Sequence, residues 1–319
     1  MRKQVYNLEF PCWCPAMTIH GYRFTRVEDY ADSVARLQHL VSFHSELRVQ
    51  ATTGQHAITA YVDLPEQEDE AVLGWSDSGL TALSDVLLLL SIFTKRNVFL
   101  AESNNVAGVV LADPRVYQWG GVLICSLPYK ESPEDPKSLD FAYDIGREEG
   151  LNQIYMLLRS EEWQRRYAHG YFLFLAQQAF HQQPLESAFI QCWTIWEHLF
   201  AVLNQHWLSV KQIRQLDASE KIAFILTEFA LRGEIGHASR KRIRSLAEIR
   251  NRLIHFGRFP DREAVHDDAV LFIRLTEFVI AKILGLSPSN LFNTVERLEE
   301  FLTPSNRHSK GPQPTRACD

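Results

Sequence analysis

The chain has 319 residues, 46% of them hydrophobic, and outgrows a single buried core, which stops enlarging at roughly 250–300 residues. A formal net charge of -6 excludes a protein that coats nucleic acid through its whole surface. The longest apolar run, Tyr171 to Ala176, falls far short of the roughly 20 residues of a membrane span, and no apolar stretch follows the basic N-terminus, so a cytoplasmic protein without a membrane segment is expected.

From Val5 to about Leu127 the chain reads as short segments. Alternation in His56–Val62 and β-branched clusters in Val106–Leu111 and Val122–Leu127 predict strands. Ser78–Ser91 has helical length, and a strand over Asn97–Ala101 follows it. Residues 1–140 are therefore expected to form an α+β domain, mostly β, with a sensory or regulatory role. Within it, Glu66-Gln67-Glu68-Asp69-Glu70 reads as a solvated loop. Cys12-Trp13-Cys14-Pro15 with His20 offers only two thiol ligands and no second pair, so no metal site is assigned. The five cysteines (Cys12, Cys14, Cys125, Cys192, Cys318) are odd in number and scattered, which suits a reducing compartment.

Pro128, Pro133 and Pro136, interleaved with charges, mark a domain boundary. Beyond Phe141 the periodicity becomes helical, over about Gly146–Ser160, Glu161–His181, Leu185–His206, Ala218–Leu231, Ala238–His255 and Arg262–Leu284. An all-α bundle over 141–302 follows, with a proline-containing, disordered tail over 303–319. Trp193, Trp196 and Trp207, at helical spacing, are expected in its core.

Charge is uneven along this half. Between His237 and Arg262 eight Lys and Arg face two carboxylates, a local +6 in an acidic chain. Inside that block stands Arg250-Asn251-Arg252-Leu253-Ile254-His255-Phe256-Gly257, a permanent cation, an amide and an imidazole at a helix end that Gly257 and Pro260 terminate. At about 100° per residue, Asn251 and His255 share a helix face about 40° apart, whereas Arg250 and His255 stand about 140° apart. One reading makes His255 a helix-terminal imidazole favoured by the macrodipole and the arginines solvated charges. The concentration of cations favours a phosphate site instead. His266, Asp267 and Asp268 lack any zinc-binding pattern and read as a solvated helix surface. What remains is metal-free phosphoester cleavage. RNA carries its own 2′-hydroxyl nucleophile, so an imidazole for proton transfer and a guanidinium for the phosphorane oxygens suffice.

The segment Leu246–Gly257, an arginine followed by a polar residue and separated by four residues from a histidine, resembles the signature of HEPN domains. Ser187–Phe200, with its aromatic residues and Glu197, resembles the helix preceding that motif, and Ser219–Leu226 resembles the next; together they span about Gly146 to Leu284. A looser likeness extends to the ApeA-like group, bacterial anti-phage proteins with a β-rich region ahead of a HEPN domain. The resemblance implies a homodimer with both motif copies facing one cleft, and a metal-independent endoribonuclease without cofactors. Position by position it makes Arg250 and His255 the catalytic pair and Asn251 their polar assistant. Glu197 is either a solvated helix residue or the carboxylate orienting Arg250 or His255. Arg244, Arg252 and Arg258 are the flanking RNA-binding cations. The implied setting is abortive infection, with RNA such as tRNA as substrate and a phage-derived trigger at the N-terminal domain. The rival readings are a non-catalytic HEPN module that binds RNA or protein, and the toxin of a toxin-antitoxin pair.

Overall fold

The computed structural model describes residues 1–8, 10, 14–30, 32, 58–74, 80–94, 96–100, 119, 123–124, 147–182, 184–229, 234–259, 261–286 and 295–302. The expected strand Val106–Leu111, most of Val122–Leu127, the proline-rich boundary at 128–137 and the tail after Leu302 lie outside them.

The N-terminal part is a five-stranded antiparallel sheet in the order β2-β3-β4-β1-β5. Its strands are β1 (Arg2–Tyr6), β2 (Ala16–Ile19), β3 (Tyr22–Arg26), β4 (Ile58–Asp63) and β5 (Phe99–Leu100). Alternation sets the faces: Met17 and Ile19 of β2 and Tyr22 and Phe24 of β3 are buried while Thr18 and Arg23 between them are exposed. Helix α1 (Ala82–Thr94) starts later and ends later than the expected Ser78–Ser91, and its buried leucines belong with the sheet's inner residues to one continuous apolar core.

The C-terminal part is helical: α2 (Arg147–Arg159), α3 (Glu161–Tyr167), α4 (Tyr171–His181), α5 (Leu185–Asn204), α6 (Val210–Gln215), α7 (Ala218–Glu228), α8 (Glu234–Phe256), α9 (Arg262–Ile283) and α10 (Val295–Leu302). The expected helix Glu161–His181 is two helices. Ala168, His169 and Gly170 all take positive φ and break it. Gly170 is required there, because a Cβ would meet the Trp163 ring at 2.7 Å and Leu73 at 2.9 Å, and its φ is +72°. The break lets the His169 carbonyl accept from the Gly74 N–H at 2.7 Å, so a contact from the N-terminal part occupies it.

Helix α5 is the hub, touching α3, α4, α7 and α9. Phe189, Trp193 and Trp196 on α5 surround Phe272 of α9 at centroid distances of 5.5, 4.8 and 5.2 Å. The Trp196 indole N–H donates to Thr276 Oγ1 at 2.7 Å, both groups being buried. Trp207, by contrast, is 67% exposed, because α5 ends at Asn204 and a turn carries the indole off its apolar face. Burial pushes the Cys192 thiol up to about 12, so it stays protonated and packs as a small apolar group.

The β2-β3 hairpin docks on α2. Asn152 accepts from the His20 N–H and donates to the Thr18 carbonyl, each at 2.9 Å. Asp69, inside the stretch expected to be a free loop, accepts from Arg159 Nη1 at 2.7 Å and lies 3.0 Å from His20 Nε2. An acidic run looks solvated until the tertiary fold brings a cation to one member of it. Cys12, Cys125 and Cys318 fall outside the described residues; Cys14 bonds through Sγ to the Ala16 carbonyl instead of joining His20.

Candidate functional site

Helix α8 carries the motif, and its helical period sorts the side chains. Leu246 and Leu253 are buried against the bundle. Arg244, Glu248, Asn251 and His255, at spacings of four, three and four, form an exposed stripe. Arg250 and Ile254 lie on a third line between them, facing α5. The helix ends as its residues dictate: Gly257 has φ +72° and donates its N–H to the Leu253 carbonyl at 2.8 Å. Phe259 then buries against Phe189 at 5.5 Å, and Asp261 caps α9 by accepting from the Ala264 N–H.

Arg250 is the anchored member of the motif. Its Nη2 donates to Glu197 Oε1 at 2.9 Å, its guanidinium carbon lies 5.7 Å from the Trp193 ring centre, and Nη1 reaches Asn251 Oδ1 at 3.4 Å. The long stem thus swings the cation to the border between its own line and the exposed stripe. Of the two readings of Glu197, the orienting one fits this geometry. It is partnered with Arg250 and not with His255. His255 is exposed on the stripe beside Asn251, and within one protomer the structure does not place it against the guanidinium.

The basic block is less positive in space than in sequence. Carboxylates from neighbouring helices meet three of its cations: Asp268 pairs with Arg242, Glu197 with Arg250, and Glu186 stands 3.9 Å from Arg262. Asp268 is therefore a bridge between α8 and α9, which corrects its reading as a free surface residue. Asp267 lies 3.3 Å from His266. Arg244, Arg252 and Arg258 remain exposed around the motif. Arg240 and Lys241 have no described side chains.

A groove of about 480 Å³ opens on the Arg250 side of α8. One line of α5 forms its floor through Ile190, Thr194, Glu197 and Ala201, spaced so that all four face the same way. Arg250 and Ile254 form one wall; Ile213 and Arg214 of α6 and Lys221 of α7 form the other. His198 also lines it, its ring edge-on to Tyr171 at 5.7 Å, and burial lowers its pKa, which keeps the imidazole neutral. Neither Arg214 nor Lys221 has an ion-pair partner among the described residues. Sequence reading missed these two: α6 is a six-residue helix without a predicted period, and only the bundle brings it opposite Arg250. Among the described residues no three His, Cys, Asp or Glu side chains form a metal-binding set, and no helix is long and apolar enough to cross a membrane.

No family model, curated protein or solved structure matches this chain.

Proposed function

We propose that the chain is a metal-independent endoribonuclease of HEPN type that works as a homodimer, in anti-phage defence. The observation carrying this reading is the anchored Arg250 beside the exposed Asn251 and His255 at the end of one helix. A guanidinium held by a carboxylate loses little freedom when it meets a phosphate, and it supplies charge where the phosphorane develops it. An exposed imidazole can take the 2′-hydroxyl proton or protonate the leaving oxygen.

A single protomer offers these groups on two lines of α8. A second copy of α8 lets the His255 of one chain meet the Arg250 of the other. The apolar neighbours of His255 support that arrangement, since Ile254 and Phe256 are 57% and 76% exposed and flank the stripe. Arg244, Arg252 and Arg258 would lie around the shared cleft and hold phosphates on either side of the cut. The N-terminal sheet, packed through α1 on α4, is the part suited to receiving a trigger.

The test is incubation of the protein with total RNA in EDTA, alongside Arg250→Ala and His255→Ala. Each substitution should lower cleavage by about 10²-fold or more while thermal stability stays close to wild type. RNA that stays intact with the wild-type dimer, or variants that cut equally well, would rule out the catalytic reading and leave an RNA-binding or protein-binding module.

A further inference from the structure

The two buried tryptophans of α5, Trp193 and Trp196, both pack on Phe272. They differ at the indole nitrogen. Trp196 gives its N–H to Thr276, whereas Trp193 Nε1 is buried with no hydrogen-bond partner among the described residues. A buried indole usually finds an acceptor, and phenylalanine would fill a purely apolar position without stranding a donor. Packing alone therefore does not account for an indole at 193.

What distinguishes the position is Arg250. Its guanidinium carbon lies 5.7 Å from the Trp193 ring centre, inside the roughly 6 Å reach of a cation–π contact, and indole is the aromatic ring that attracts a cation best. Glu197 follows Trp193 by one turn on the same line of α5, so ring and carboxylate meet one guanidinium. The hydrogen bond from Nη2 to Glu197 fixes one edge of that planar group and leaves it free to turn about the bond. Among the described residues the remaining hydrogen bonding is slight: Nη1 reaches Asn251 only at 3.4 Å, and Nε is buried without a partner. A ring beside the cation limits the turn, and this ring is itself hemmed in, by Phe272 at 4.8 Å and by Phe189 edge-on at 5.9 Å between centroids.

We propose that Trp193 is a positioning residue for Arg250, its ring setting the plane of the guanidinium while Glu197 sets its reach. The effect on cleavage rests on the nuclease reading; the hold on Arg250 does not.

Two measurements on the full chain test it. The first is a double-mutant cycle of Trp193→Leu with Arg250→Met in urea unfolding. Methionine keeps most of the apolar stem and removes the charge, so the cycle reads the contact between charge and ring, and the coupling should change the unfolding constant by at least about threefold. Lysine keeps the charge, so Arg250→Lys should show a clearly smaller coupling. The second is RNA cleavage in EDTA. Trp193→Leu should lower kcat by about tenfold with KM within about twofold of wild type, and Trp193→Phe, which keeps a weaker ring face, should recover part of that. Trp196→Phe, one turn along in the same core, controls for general core damage and should keep kcat within about twofold. No coupling with Arg250→Met, a wild-type kcat in Trp193→Leu, or an equal loss in Trp196→Phe would each overturn the proposal. Should Trp193→Leu fail to fold, Trp193→Phe takes its place in both measurements. If wild type never cuts RNA, the nuclease reading falls and the coupling alone decides whether Trp193 holds Arg250.

Discussion

Glu197 holds Arg250 across the α5–α8 contact, Oε1 to Nη2 at 2.9 Å, with both side chains only partly exposed. The pair is too accessible to be a main source of stability, and removing the carboxylate costs about 1 kcal/mol or less. Its effect is on position. On the proposed nuclease reading, Glu197→Ala should lower RNA cleavage by roughly tenfold through a mobile guanidinium, and Glu197→Gln, which keeps one acceptor, should recover part of that. Thermal melts run beside cleavage assays check this; an equal loss with Gln and Ala would show that orientation by hydrogen bonding is not the role.

Phe256 is the most exposed apolar residue beside the motif, at 76%. If two copies of α8 meet there, Phe256→Asp places charges at the interface and shifts the dimer to monomer, with cleavage lost and the fold intact. Sedimentation of wild type and variant across a concentration series decides it. A wild-type monomer that cuts RNA would refute the shared site.

Two glycines at nearly the same φ should respond differently. Gly257→Ala meets nothing within 4 Å, so only the left-handed backbone is penalised, at about 1 kcal/mol. Gly170→Ala adds a collision with Trp163 and Leu73 and should cost about 2–4 kcal/mol. Urea unfolding of the two variants gives the ranking directly.

The Trp196–Thr276 hydrogen bond is buried at both ends. Thr276→Val keeps the volume and strands the indole N–H, for an expected loss of about 1–3 kcal/mol. Trp196→Phe with Thr276→Val removes both partners, and a double-mutant cycle should return a coupling clearly above zero.

Asp69 gives the N-terminal docking an acid limit. The hydrogen bond from Arg159, then His20, holds its carboxyl below the ordinary 3.8. A depressed folded pKa contributes stability above the unfolded value, and that contribution is lost as pH falls through the folded one. Hydrogen exchange in the β2–β3 hairpin should therefore rise as pH drops below about 4, after correction for intrinsic rates, and Asp69→Asn should flatten the change. A hairpin whose corrected protection ignores both would show that the Asn152 contacts from α2 secure it without Asp69.

Much of the architecture was legible in local pattern. Period 3.6 located the long helices of the second half, and the Gly257 stop follows from a residue that tolerates φ +72°. The residues of the motif, and the helix line that Asn251 shares with His255, are likewise set by sequence spacing alone. What escaped were contacts between distant segments. At the break over 168–170, Leu73 and Trp163 leave no room for a Cβ on Gly170, and α6 becomes a groove wall only by lying opposite Arg250. Charge shows the same division. The sequence counted the cations between His237 and Arg262, while the tertiary structure decided which of them stay free, because electrostatic partners such as Asp268, Glu186 and Glu197 arrive from other helices and act over a few ångströms of space, whatever their separation along the chain.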